Sequence, residues 1–175
     1  MFLLALILSL IMTQNEIIFD FSKETQISQW QNVDDAVMGG VSRGNISLTP
    51  EGHGHFSGNI SLENNGGFSS VRYRFSKKHT ENYATFKLRV KGDGKRYQLR
   101  VKSSASDRHA YVFYFHTTGA WETIEVPFTQ MHASFRGVRQ NLPNFEGVQM
   151  EEISLLFASK ENETFSLLID FIKIE

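Results

Sequence analysis

Cysteine is absent from all 175 residues of the chain. That excludes disulfides, thiolate metal sites, a cysteine nucleophile and an acylated N-terminal cysteine. A charge imbalance is also missing: the formal net charge is −1, so no whole-molecule field favours nucleic acid or an anionic membrane. No apolar run is long enough for a membrane span. The chain has no internal repeat, no low-complexity tract and no long amphipathic helical pattern. A Gly-x-Ser-x-Gly nucleophile elbow is lacking, and no glycine-rich loop opens a helix to cradle phosphate. With no acid–base pair or nucleophile standing out, the sequence makes no case for an enzyme or a cofactor.

What is present is an ordinary globular composition, 41% hydrophobic and 21% charged, which at this length suits a single domain. Residues 1–14 stand apart from it. Phe2 to Met12 is apolar except for Ser9 and is followed at once by Thr13-Gln14-Asn15-Glu16. The run has the length of a signal-peptide core, and its uniform leucine content shows no strand alternation. Export is therefore favoured, although no Lys or Arg precedes the run and no small-x-small cleavage site follows it. The competing reading is a first strand or helix tucked into the core, with a cytoplasmic location. The domain proper is taken as residues 15–175.

That remainder reads as β-structure. Phe68 to Phe75 sets Val71, Tyr73 and Phe75 against Arg72 and Arg74, and Tyr83 to Val90 sets Ala84, Phe86, Leu88 and Val90 against Thr85, Lys87 and Arg89. Period-two alternation marks a strand buried on one face. Glu16 to Phe21, Gly44 to Leu48, Gly54 to Leu62, Trp121 to Phe128, Ile153 to Ala158 and Phe165 to Ile174 complete the strong candidates. Tyr97, Leu99 and Val101 face inward from another strand, and Tyr111 to His116 is aromatic on both faces. Pro50-Glu51-Gly52 is a turn between two strand arms. Gly92-Asp93-Gly94 is expected to close a hairpin, because Asp-Gly suits the twist of antiparallel strands. Thr129 to Gly147 is expected to be a structured loop with at most one helical turn. About ten short strands argue for an antiparallel sandwich or barrel.

The segment Trp30 to Gly44 is the most informative. Asp34-Asp35 followed by Gly39-Gly40 predicts a tight loop, since Asp bonds nearby backbone N–H groups and glycine reaches otherwise costly angles. The string W-x-x-x-D-D-x-V-M-G-G-V-S-x-G resembles the signature of the complex I intermediate-associated protein family, the NADH:ubiquinone oxidoreductase assembly factors and their bacterial relatives. Further similar blocks follow in order: Ser61 to Arg72, Gly92 to Tyr97, Trp121 to Phe128 with Phe135-Arg136-Gly137, and Phe165 to Ile172. The resemblance implies a galactose-binding-domain-like jelly-roll β-sandwich. It also implies a non-catalytic, chaperone-like protein that stabilises assembly intermediates of the respiratory complex, with its subunits as partners. The alternative is an exported carbohydrate- or small-ligand-binding module, with Tyr114, Trp121, Asn64 and Asn65 meeting the sugar.

Several residue sets are candidates for binding. Arg72, Arg74, Arg89, Arg96, Arg100 and Arg136, with Tyr114 and Trp121, combine planar donors with aromatic rings, the make-up of recognition surfaces. The bland counterpart is cross-strand pairing with Glu63, Glu122 and Glu125. An aromatic–arginine sheet face also suits single-stranded nucleic acid, a reading the balanced charge weighs against. In the signature loop (Trp30, Asp34, Asp35, Met38, Gly39, Gly40, Ser42), Trp30 and Met38 are expected to plug one end of the sandwich while an Asp caps backbone amides. The functional counterpart is a loop wall with Asp35 beside Asn64, Asn65 and Arg72. His53 and His55 share a strand face without a third ligand, and a solvated loop is favoured over a metal. Asp20 and Asp170, on the first and last strands, are weak calcium candidates.

Overall fold

The alternating segments form strands in the computed structural model, which describes residues 14–175. In chain order these are β1 (Glu16–Asp20), β2 (Trp30–Asp34), β3 (Arg43–Leu48), β4 (Gly54–Ile60), β5 (Phe68–His79), β6 (Thr85–Lys91), β7 (Arg96–Lys102), β8 (Ala110–His116), β9 (Glu122–Pro127), β10 (His132–Phe135), β11 (Val138–Arg139), β12 (Gln149–Ala158) and β13 (Glu163–Ile174). They build two antiparallel sheets, one ordered β3-β4-β13-β6-β9 with β1 also on β13, the other β11-β10-β8-β7-β12-β5-β2. The architecture is a jelly-roll β-sandwich. The only helical elements among the described residues are short 3₁₀ turns. None is long and apolar enough to cross a membrane. The apolar run Phe2 to Met12 lies outside the described residues.

The inward faces follow the alternation. Val71, Phe86, Leu88, Val90, Tyr97, Leu99 and Val101 are fully buried. Burying such side chains is worth about 1.5–3 kcal/mol each, so this face dominates stability. Aromatic rings close the ends. Trp30 lies stacked with Phe21 and Tyr73, at 5.7 and 5.5 Å, and Phe19 meets it edge-on. Phe86, Phe128, Phe145 and Tyr111 form another group, and Tyr97, Phe115, Phe157 and Phe165 a third.

Two expectations are corrected. Gly92-Asp93-Gly94 does not close a hairpin, because β6 pairs with β13 and β9 in one sheet while β7 pairs with β8 and β12 in the other. The turn is a corner between sheets. Asp93 fixes it by accepting from the Tyr97 hydroxyl at 2.9 Å and from the Ser166 amide at 3.0 Å. Nor is Thr129 to Gly147 a loop throughout: it holds the β10–β11 hairpin. Its two-residue turn, Arg136-Gly137, has φ of +50° and +77°, the type I′ signature that matches strand twist.

Candidate functional site

The outer face of the seven-stranded sheet carries an open cleft of about 600 Å³. Its floor follows from strand register. Arg72 on β5, Ser154 on β12 and Arg100 on β7 stand side by side across three strands. A parallel row runs Ser70, Leu156, Gln98 and Tyr114. One wall is the 3₁₀ turn Asp35–Met38, presenting Val37 and Met38; the opposite wall is the tip of the β10–β11 hairpin with Phe135, Arg136 and Gly137.

The first wall is held from beneath. Asp35 is fully buried, and its carboxylate accepts from the amides of Ser42, Gly67 and Phe68 at 3.0, 2.7 and 3.3 Å. Burial alone would raise its pKa. The polar Ser42 side chain beside it and the bonds from these amides outweigh that and hold it below the ordinary carboxylate value. Asp34 accepts from the Ser69 hydroxyl at 2.6 Å and the Gly44 amide at 3.2 Å, and Ser42 joins Ser61 through both its donor and its acceptor. Gly40 has no room for a side chain, since a Cβ there would lie 2.3 Å from an Asp35 oxygen. The two aspartates thus bolt the loop to β3 and β5.

Met38 departs from expectation. Trp30 is buried, but Met38 is 56% and Val37 72% exposed, because Gly39 at φ +90° ends the turn with both side chains directed away from the core. Asn64 and Asn65 are exposed on the turn before β5, with positive φ, and do not line the cleft. Arg72, Arg100, Tyr114 and Arg136 do line it. Asp35 supports the wall and is not reachable from it.

The arginine set divides between the two faces. Arg89 and Trp121 lie on the six-stranded sheet, 5.9 Å apart, with His53 packed 4.6 Å from Trp121. Trp121 is therefore remote from Tyr114 in the sheet topology. The cross-strand acid for the arginines is Glu152, not Glu63, Glu122 or Glu125. Glu152 is 4% exposed and accepts from Arg74 Nε at 2.7 Å, with Arg72 Nε at 3.9 Å. It escapes notice in the sequence because a β-bulge between Met150 and Glu152 breaks the parity of β12. Arg100 has no hydrogen bond or ion pair to any described residue. Burial pushes its pKa down while the neighbouring Tyr114 and Glu152 oppose this; a guanidinium remains charged regardless. Arg96 covers one face of Tyr114 at 4.9 Å, and His132 stacks at 6.1 Å.

No group of three or more His, Asp or Glu side chains suited to a metal occurs among the described residues. Asp20 and Asp170 do lie on paired strands, but the Asp170 carboxylate faces His53 Nδ1 at 3.4 Å. His55 instead meets the Ser166 hydroxyl at 2.9 Å.

Residues 19–169 match the model of the family described as Complex I intermediate-associated protein 30, and the chain belongs to that family. Among solved structures, the chain is similar to a family 11 carbohydrate-binding module from Clostridium thermocellum in complex with a β-1,3-1,4-mixed-linked tetrasaccharide. That match has 16% identity and a TM-score of 0.63, covering 91% of this chain and 94% of that one. A family 29 carbohydrate-binding module matches at 10% identity and TM-score 0.54, covering 93% and 91%. An exo-β-agarase matches at 11% and 0.58, covering 91% of this chain and 24% of the agarase. At such identities these likenesses establish the shared sandwich fold.

Proposed function

We propose that the chain is a non-catalytic binding protein that docks a protein partner in the cleft of the seven-stranded sheet. Family membership supports partners among assembly intermediates of respiratory NADH:ubiquinone oxidoreductase. The observation that carries the reading is the guanidinium of Arg100, without a partner among the described residues, on the floor between the two walls. Among the described residues the cleft's single carboxylate, Glu152, is already engaged by two arginines, which supports the non-catalytic reading.

A second reading, carbohydrate binding, draws on the tetrasaccharide bound by the similar module. Sugar sites need an open aromatic face, and Arg96 and His132 already occupy the surroundings of the Tyr114 ring. Docking of a protein is therefore preferred.

The test is affinity purification of the tagged protein with mass spectrometry, alongside the Arg100→Gln variant. Recovery of NADH dehydrogenase subunits by the parent chain, and their loss in the variant at an unchanged melting temperature, is expected. Equal recovery by both would remove the cleft as the docking site. Calorimetric binding of a mixed-linked tetrasaccharide, lost in Arg100→Gln, would favour the second reading.

A further inference from the structure

We infer that the cleft takes an acidic segment of its protein partner, carboxylates on Arg100 and Arg72, apolar residues against Val37 and Met38. The inference rests on the docking reading and names the chemistry of what docks.

Charge is segregated in a way the net value hides. The chain carries 18 Lys and Arg against 19 Asp and Glu, yet the cleft is lined by Arg72, Arg100, Lys102, Arg108 and Arg136 with Glu152 as its single carboxylate. The pocket continuing from it past Tyr114 adds Arg96 and Lys160 and no acid. Glu152 offers little compensation, because Arg74 and Arg72 already take its two oxygens. Arg100 is half-buried with no partner among the described residues, which leaves its guanidinium available to an acceptor in the cleft. A carboxylate meets a guanidinium through two parallel hydrogen bonds, the strongest match available to that fork.

The apolar wall argues for a peptide rather than another anion. Val37 and Met38 are exposed at 72% and 56% on a turn that Asp35 holds rigid, so they contribute little to the core. Methionine adapts to varied apolar partners. Two of the three aromatic rings lining the cleft are already met by cations: Arg108 and Arg136 sit 5.0 and 5.4 Å from the Phe135 ring, and Arg96 covers Tyr114, which leaves Phe68 alone open to a sugar or base. From β2 to β10 the cleft crosses β5, β12, β7 and β8. At about 4.8 Å per strand step this is roughly 24 Å, the length of roughly seven extended residues.

The probe is a fluorescein-labelled heptapeptide, Leu-Glu-Ser-Glu-Ser-Glu-Leu, read by anisotropy against its Gln-for-Glu counterpart. The acidic peptide is expected to bind and the Gln peptide to fail. Arg100→Gln should weaken binding roughly tenfold, the value of about one charge-assisted hydrogen bond. Met38→Ser should weaken it with a normal melting curve. No binding of the acidic peptide, or equal binding of the two peptides, overturns the inference. So does preferential binding of oligogalacturonate or single-stranded oligonucleotide. The two readings fail separately. If Arg100→Gln loses the captured subunits but the acidic peptide neither binds nor competes, docking stands and the acidic segment falls. If Arg100→Gln keeps the subunits, the docking site itself is wrong.

Discussion

Asp35 shows how one buried side chain can hold the wall of a cleft without lining it. Three amides end on its carboxylate, and each donor left unpaired in the interior costs about 1–3 kcal/mol. Asp35→Ala should therefore lose on the order of 3 kcal/mol or more, measured by denaturant unfolding. The pH dependence has a fixed sign. Because the folded pKa lies below the reference value of 3.8, the contribution is present above that pH and declines as pH falls below it. An acid titration of stability should show this step in the parent chain and lack it in Asp35→Asn. Neighbouring glycines should separate cleanly. Gly40→Ala forces a methyl onto Asp35, whereas Gly39→Ala meets nothing within 4 Å and carries only the strain of positive φ, about 1 kcal/mol. A larger loss at Gly39 than at Gly40 would contradict the packing described. The aspartate–glycine pattern made a tight loop legible, and the amide-capping role with it. Met38 was not legible, because its hydrophobicity predicts burial and only the backbone direction of the turn exposes it.

Strand by strand, alternation carries far until a bulge or a corner intervenes. The inward residues of β5, β6 and β7 could be read directly from their period. Glu152 could not, since the bulge in β12 puts Met150 and Ile153 on one face despite their odd spacing. Asp93-Gly94 reads locally as a hairpin turn, but the partners of β6 and β7 are distant strands and nothing local announces them. Arg136-Gly137 hid a real hairpin, because a non-glycine, non-Asn residue at positive φ is unusual there. The corner makes its own prediction. Tyr97 donates to Asp93 and accepts from Ser166, so Tyr97→Phe should cost about 1–2 kcal/mol by thermal unfolding. Burial, with Asp93 beside it, raises the phenol pKa above the usual 10.0. Stability from the neutral phenol is complete below pH 10 and is lost as pH rises beyond it. Alkaline unfolding of the parent chain should contain that loss, and Tyr97→Phe should be free of it.

Across the molecule, the near-zero net charge hides the basic lining of the cleft, where Glu152 is the single carboxylate, while elsewhere lysines and carboxylates pair on the same surface. Binding through the cleft should weaken as salt rises from about 50 to about 300 mM, since screening shortens the reach of its field. Salt-independent capture would speak against an electrostatic dock. The element order has one more consequence, in the dimension of time. The strand at the heart of each sheet comes late in chain order among the described strands: β12 separates β5 from β7, and β13 joins β1 and β4 to β6. A chain emerging from the ribosome therefore holds strands whose neighbours do not yet exist. Such non-local pairing makes folding slow and leaves open edges exposed meanwhile. Emergence of β12 and β13 is the event that lets both sheets assemble together, so nascent chains halted before Gln149 should remain protease-sensitive and those carrying Ile174 clear of the ribosome should become resistant in one step.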